Sequence, residues 1–226
     1  VLVVLAGAGY RLFLDRGNPL ANARALLARN DLRGAEIELR RAVRENPGNA
    51  EAHYRLGLAQ LTLGDPVAAE KELREAQRLG YAPGAVVPAL AQTYLAQNKL
   101  SDLLRDFNAD DLPPHDRAAV LVSRALAQIG LADLDAAART VAEAEALAPD
   151  NAEAPLAGAR IAALRRDIPG ALAQADKALA INPKQLDAML FKADLLRATG
   201  QPKQALAVLD QALAASSNAP AVRLQH

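Results

Sequence analysis

Helical sequence patterns in this chain end repeatedly at proline, and those prolines are separated by multiples of one interval. Pro149 and Pro183 are 34 residues apart, and Pro47 precedes Pro149 by 102 residues, which is three times 34. Proline has no backbone N–H and its ring clashes with the preceding helical turn, so each of these positions ends a helix. A constant interval of this length in a helical chain predicts a tandem array of similar structural units.

Six consecutive windows of 34 residues, starting at Arg16, fit the chain without insertions: 16–49, 50–83, 84–117, 118–151, 152–185 and 186–219. The twentieth position is alanine in five windows and Leu103 in the third. The eighth position holds a small residue in all six: Ala23, Gly57, Ala91, Ala125, Ala159 and Ala193. Two helices approach closely only where their side chains are small, so we expect these two positions to meet within each window.

Position twenty-four is expected to fill the space beside that contact, because it holds a larger apolar residue in five of the six windows. These residues are Leu39, Leu73, Phe107, Val141 and Leu209, with Ala175 in the remaining window. Short segments rich in Gly, Asp and Pro, such as "GDPV" at 64–67, separate the two helical patterns of a window. Such residues interrupt helices, so each window predicts one helix-turn-helix unit.

The composition supports a helical core and excludes several classes of chemistry. Hydrophobic residues make up 51% of the 226 residues but aromatic residues only 3%, which suits close helix packing better than a β-sandwich. The 26 basic residues balance 26 acidic ones, and nucleic-acid binding normally needs a basic excess. The chain has no cysteine, which rules out disulfides, thiolate catalysis and cysteine-ligated zinc.

The segment "AEAHYRLGLAQLTLGDPVAAEKELREAQRLG" at 50–80 resembles the tetratricopeptide repeat. It carries the Leu-Gly pair of that family at Leu56-Gly57, its Gly-Asp turn at Gly64-Asp65, and its alanines at Ala69 and Ala76. The resemblance extends over about nine-tenths of the chain. It implies an all-α fold, a right-handed α-solenoid of about six tetratricopeptide helix-turn-helix repeats.

The third window departs from the pattern, since Leu103 at position twenty and Asp110 at position twenty-seven replace the alanine that the other five windows have there. We expect its second helix to end near Phe107, before Asp110-Asp111 and Pro113-Pro114, with a local change in superhelical curvature. Simple drift in a redundant repeat is the alternative explanation of this departure.

The apolar segment 1–15 has two interpretations. It contains too few residues to span a bilayer, which needs about 20. It could be a capping helix of the array, or the end of a signal or membrane anchor that would associate the protein with a membrane. Residues 220–226 are expected to form a C-terminal tail.

No motif indicates an active site, a metal site or a cofactor. The three histidines, His53, His115 and His226, are not at metal-ligand spacing, and we expect a structural role for His53. The pair Asp110-Asp111 is best explained as a solvated loop. Neither a nucleophile motif nor a glycine-rich phosphate loop is present. The sequence therefore predicts a non-enzymatic protein.

A groove along the first helices is the candidate binding site, because family resemblance places positions 2, 5, 9 and 12 on the concave face. The predicted groove is apolar in its middle repeats with arginines toward its ends, a pattern that fits a peptide with apolar anchors. A groove filled by the chain itself, or a homo-oligomer, is the alternative. The groove residues are Arg24, Leu27, Tyr54, Leu58, Leu61, Gln92, Leu95, Val122, Leu126, Ile129, Leu156, Arg160, Asp194 and Arg197.

One sub-type of the family grips a C-terminal carboxylate with Lys and Asn at groove positions. Those positions here hold Leu20, Tyr54, Arg24 and Leu58. The carboxylate clamp is therefore absent, and chaperone-tail binding of that kind is disfavoured.

Residues 63–107 also resemble a narrower group, the tetratricopeptide proteins of Gram-negative bacteria encoded with exosortase-type sorting and exopolysaccharide systems. The shared features are the Leu-Gly-Tyr ending at 79–81 and the "VVPALAQ" start at 86–92. This resemblance implies a scaffold in the periplasm or anchored in the envelope. The segment "VLAGAGY" lacks a lipobox cysteine, however, and a cytoplasmic protein is the alternative.

Overall fold

The computed structural model describes residues 17–217, which contain twelve α-helices and no β-strand. The all-α helical-repeat fold predicted from the sequence is confirmed over this range, with two helices in each of the six windows. The expectations for 1–15 and 220–226 concern residues outside it. The helices are α1 (Pro19–Ala28), α2 (Leu32–Glu45), α3 (Ala50–Thr62), α4 (Pro66–Arg78), α5 (Pro83–Ala96), α6 (Leu100–Asp106), α7 (Pro114–Gly130), α8 (Leu134–Leu147), α9 (Glu153–Leu164), α10 (Ile168–Ile181), α11 (Leu186–Ala198) and α12 (Pro202–Ser217).

The chain divides into two compact units, unit 1 (Val1–Val86) and unit 2 (Val87–His226). In unit 1, α1 pairs with α2 and α3 pairs with α4, and α2 also packs against α3. In unit 2, the pairs are α7 with α8, α9 with α10, and α11 with α12, and each pair also contacts the next. Among the helices of residues 17–217, none is long and apolar enough to cross a membrane.

A three-residue turn of constant geometry joins the first and second helix of every repeat. In each turn the residue at position fifteen has a positive φ: Asn30, Gly64, Asn98, Ala132, Arg166 and Gly200. The backbone N–H of the next residue returns to a carbonyl five residues earlier, as from Asp31 to Leu26 at 2.9 Å. This is the left-handed cap that satisfies the last carbonyls of a helix.

The residue after the left-handed position then starts the second helix. In four repeats it is an aspartate whose carboxylate accepts a hydrogen bond from the backbone N–H three residues on: Asp31, Asp65, Asp133 and Asp167. An aspartate cap satisfies an otherwise unpartnered N–H and complements the positive end of the helix dipole. Because hydrogen bonds cap both the end of the first helix and the start of the second, the turn holds the two helices of a repeat side by side.

The residues at positions eight and twenty are buried in all six repeats, and eleven of the twelve are small, the exception being Leu103. The two helices approach closely at Gly57, where an added Cβ would lie 2.7 Å from Cγ of Leu73 and 3.1 Å from the carbonyl oxygen of Ala69. Leu73 itself is fully buried at position twenty-four. Burial of such a leucine stabilises the fold by about 1.5–3 kcal/mol.

Position twenty-four behaves differently in the last repeat, and the expectation for Leu209 is wrong. Leu209 is 41% exposed, whereas its neighbour Val208 is buried. Leu206 and Leu213 are also exposed on the same side of α12. No later helix of the described range packs on this side of α12, and Leu209 therefore faces outward.

The second helix of the third repeat is shortened, as predicted. It has only seven residues and ends at Asp106. Phe107 follows it, is buried, and packs edge-on against Tyr94 with 4.9 Å between ring centroids. The aromatic pair therefore packs the chain directly after the shortened helix against α5.

Candidate functional site

The predicted groove residues of unit 1 are one arginine, one tyrosine and three leucines on the first helices of its repeats. Arg24 is exposed, whereas Leu27, Tyr54, Leu58 and Leu61 are half-buried. Leu27 packs against the core around Leu39, so only part of it is available to a partner.

Glu51 holds two arginines on this surface. The Arg24 guanidinium donates from Nε to Oε1 of Glu51 at 3.0 Å and makes a second ion-pair contact with Oε2. Arg55 donates from Nε to the same Oε1 at 2.5 Å. The hydrogen bond from Arg24 lowers the pKa of Glu51, against the opposing effect of burial, and the pKa of Arg24 is raised in turn. The three groups together carry one net positive charge.

Tyr54 stacks on Tyr81 next to this charge group. The ring centroids are 4.5 Å apart and the planes are inclined by 22°. Both rings are half-buried, and burial raises the pKa of Tyr54. Sequence reasoning included Tyr54 and missed Tyr81, because Tyr81 lies in the loop between α4 and α5 and has no place in a helical face pattern. The scarcity of aromatics, with four tyrosines in the chain, was the one available signal.

In unit 2, two of the predicted groove residues belong to the core, which corrects their assignment. Val122 is 6% exposed and packs with Leu121. Leu156 is 1% exposed and packs with Ala188 of the next repeat. Both occupy position five, which the following repeat covers. The same position in the last repeat, Leu190, is 42% exposed.

The other predicted residues of unit 2 differ in accessibility. Leu126 and Ile129 are half-buried and pack against the core that contains Ala125 and Val141, with Leu126 also bordering a second core cluster. Asp194 and Arg197 are exposed and form an ion pair at 3.0 Å. Gln92 is exposed, and Leu95 and Arg160 are half-buried. The apolar residues predicted for the middle of the groove are thus largely structural.

His53 is buried and lies between two oxygen atoms. Its Nδ1 is 2.7 Å from Oε2 of Glu72, and its Nε2 is 3.0 Å from the carbonyl oxygen of Pro47. These contacts tie α3 to the preceding loop and to α4, which is the structural role expected for this residue. Within residues 17–217, no three His, Asp or Glu side chains are grouped to hold a metal ion.

Comparison with known proteins identifies the family. Tetratricopeptide repeat models match residues 20–83 and 162–225, which together make up more than half of the chain. The chain belongs to the tetratricopeptide repeat family, whose fold is that of a protein–protein interaction scaffold. No curated protein sequence matches it.

Solved structures share the fold at low sequence identity. Pseudomonas aeruginosa PilF matches over 92% of this chain and 95% of its own, with 18% identity and a TM-score of 0.61. PilW, described as a widely conserved type IV pilus biogenesis factor, matches over 91% and 95%, with 15% identity and a TM-score of 0.65. YrrB, described as a tetratricopeptide repeat protein with an unusual peptide-binding site, matches over 76% and 88%, with 23% identity and a TM-score of 0.50.

Proposed function

We propose that this protein is a non-enzymatic scaffold that binds a peptide segment of a partner protein at the Tyr54–Tyr81 stack of unit 1. The observation that carries the proposal is the position of the stack beside Arg24 and Arg55. Stacked aromatic rings offer apolar area at low conformational cost, and the arginine pair exceeds the charge of Glu51 by one. The expected ligand has an apolar anchor next to an aspartate or glutamate.

The Glu51 contacts support this proposal because they hold Arg24 in place before a ligand arrives. An arginine already fixed by a carboxylate loses less side-chain entropy on binding than a free one. Peptide binding, stated for YrrB in its description, is consistent with such a use of the fold.

A display selection of random twelve-residue peptides on the purified protein tests the proposal. We expect enriched peptides to combine an apolar residue with Asp or Glu. Their affinity, measured by fluorescence anisotropy, should fall at least about tenfold in Tyr54→Ala and in Arg24→Glu, since a charge-assisted contact contributes about 1.5–3 kcal/mol. Arg33→Glu, at an exposed arginine on α2, is the matched control and should bind normally. Equal losses in Arg24→Glu and Arg33→Glu, or enrichment of peptides without acidic residues, would contradict the proposed site.

We also propose an envelope location, in the periplasm or at the membrane, in an export or exopolysaccharide assembly of a Gram-negative bacterium. This part rests on the resemblance of residues 63–107 alone. Fractionation of the native host, followed by immunodetection of the full-length protein, tests it. A purely cytosolic signal would overturn it.

Self-association is the second candidate function. The observation that favours it is the exposed apolar side of α12, at Leu206, Leu209 and Leu213. Sedimentation velocity over a wide range of protein concentration distinguishes the two functions. A monomer at all concentrations would exclude self-association and leave the peptide-binding proposal unaffected.

A further inference from the structure

A groove in unit 2 lies between α8, α9 and α10, and none of the groove residues predicted from the sequence lines it. Its volume is about 520 Å3, and Val141 and Ile161, both buried core residues, form part of its floor. Gly158 lines the groove from α9. Glu145 from α8 and Gln174 from α10 line it from either side.

Gly158 leaves room in this groove for a side chain that the chain itself does not supply. It occupies position seven of its window, where the second repeat has Leu56, a residue only 2% exposed. A Cβ added to Gly158 would lie 3.5 Å from Gln174 and 3.6 Å from Val141, which are ordinary van der Waals contacts. One carbon therefore fits over Gly158 without displacing a neighbour, and the groove of about 520 Å3 around it has room for an aliphatic stem from another molecule.

Two hydrogen-bond acceptors in the groove have no donor. The Oε1 atoms of Glu145 and Gln174 are both buried, and neither has a hydrogen-bond partner within the described chain. The other carboxylate oxygen of Glu145 accepts from Nζ of Lys177 at 2.8 Å. A buried acceptor without a donor is costly, most of all when it belongs to a charged group.

The cations near the groove already have partners, so they do not indicate an anionic ligand. Lys177 is paired with Glu145, and Arg165 is paired with Asp135. Asp167, a further carboxylate of the lining, caps α10 through the backbone N–H of Gly170. The groove atoms that remain without a partner are the acceptors Oε1 of Glu145 and Oε1 of Gln174. They complement a positively charged group with several hydrogen-bond donors.

We propose that this groove binds a lysine or arginine side chain of a partner polypeptide. The aliphatic stem lies over Gly158 against Val141 and Ile161, and the cationic head donates to Glu145 and Gln174. Long basic side chains combine these two properties, since their stems pack on apolar surface while their heads hydrogen-bond. This site is in unit 2 and selects a basic residue, so it is independent of the acidic-peptide site proposed for unit 1.

The test is a nuclear magnetic resonance titration of the 15N-labelled protein with acetyl-Ala-Arg-Ala-amide. Acetyl-Ala-citrulline-Ala-amide, which keeps the shape but lacks the charge, is the matched probe. We expect saturable shifts at the amides of Gly158, Val141 and Ile161 with the arginine peptide, and about tenfold weaker binding of the citrulline peptide. Equal binding of the two peptides, or shifts spread over other regions only, would overturn the proposal.

Two variants separate loss of the site from loss of folding. Gly158→Leu places in the groove the side chain that the second repeat carries at this position, and it should abolish the shifts. Glu145→Gln keeps the shape and should weaken the arginine peptide about tenfold while leaving the citrulline peptide unchanged. Tyr54→Ala, in unit 1, should not change either titration. If Glu145→Gln binds the arginine peptide normally, the proposed role of the carboxylate is wrong.

Discussion

The guanidinium of Arg124 donates a hydrogen bond to the carbonyl oxygen of Phe107, with 2.7 Å between Nη1 and O. The same Nη1 also lies 2.8 Å from the carbonyl oxygen of Leu104. These carbonyls are at the end of α6, the shortened helix, where no further helical turn supplies backbone N–H donors to them. One arginine on α7 thus replaces the hydrogen bonds that a longer helix would have made within itself.

Arg124→Met should therefore destabilise unit 2. Methionine keeps most of the aliphatic volume but leaves two part-buried carbonyls without that donor, which costs about 1–3 kcal/mol. Urea unfolding followed by circular dichroism measures the change. Arg139→Met, at an exposed residue of α8, is the control and should be within about 0.5 kcal/mol of the parent. Equal stability of the two variants would show that the Arg124 contacts contribute nothing net.

Substitutions to or from glycine at the left-handed turn positions should change the free energy of unfolding in a predictable direction. Ala132 has φ of 61°, a conformation that is unfavourable for residues with a Cβ by about 1–2 kcal/mol. Ala132→Gly should raise the free energy of unfolding by up to about 1 kcal/mol, because part of the gain is offset by the greater freedom of glycine in the unfolded chain. The reverse change, Gly64→Ala at φ of 85°, should lower it. Thermal unfolding of both variants should give shifts of opposite sign, and shifts of the same sign would contradict the assigned backbone geometry.

Gly57→Ala should destabilise unit 1 by overpacking. The new Cβ would lie 2.7 Å from Cγ of Leu73 and 3.1 Å from the carbonyl oxygen of Ala69, and neither atom is a free side-chain end. We expect a loss of about 1–3 kcal/mol in urea unfolding, although alanine is the better helix former. Gly48→Ala has no contact closer than 3.6 Å and is the comparison variant. If Gly57→Ala were as stable as Gly48→Ala, the close packing of α3 on α4 would be incorrect.

Leu126→Asp should impair folding, although Leu126 was placed in the binding groove from the sequence. Leu126 packs against two core clusters, so a carboxylate there loses apolar contacts and is partly desolvated. The free energy of unfolding should fall by about 2–4 kcal/mol. Leu190→Asp, at a leucine that is 42% exposed, should be much milder. Comparable melting temperatures of Leu126→Asp and the parent would show that Leu126 is a surface residue, as predicted from the sequence.

The contact of Glu51 with Arg24 should stabilise the folded protein at neutral pH and lose this effect at acidic pH. The pKa of Glu51 is lowered in the folded protein, so its stabilising effect is present above the unfolded pKa of about 4.3 and is lost as the pH falls through the folded value. Glu51→Gln should thus be less stable than the parent at about pH 7, and the difference should shrink at about pH 3. A difference that is constant with pH would show that the effect of the variant comes from shape and not from charge. Urea midpoints at the two pH values provide the comparison.

The sequence predicted the fold because its repeat columns reflect packing within one helix pair. Small residues such as Ala35 and Ala69 are required by the close approach of two helices in one repeat, so their spacing alone locates both helices. The binding surface was predicted less well. Whether position five is buried depends on the repeat that follows, and this separates Leu156 from Leu190 although the two occupy the same column.

The groove at Gly158 could not be predicted from the columns, for a different reason. A pattern of this kind records which side chains recur, whereas this groove depends on a side chain that is missing at one position. Its two unpartnered acceptors become evident only when the distances around Glu145 and Gln174 are known. Tyr81 was missed in a similar way, since its contact with Tyr54 joins a loop to a helix.

The three-residue turn also affects how the chain reaches its folded state. Its hydrogen bonds, from the return bond of Asp31 to Leu26 to the cap on Gly34, join residues no more than five positions apart. Partner helices within a repeat are likewise neighbours in sequence, so forming a hairpin closes only a short loop and carries a small entropic barrier. Folding dominated by such local contacts is fast, and it can begin at more than one repeat and extend to neighbouring ones. If folding starts at several places along the chain, damage to one repeat does not prevent the other repeats from folding.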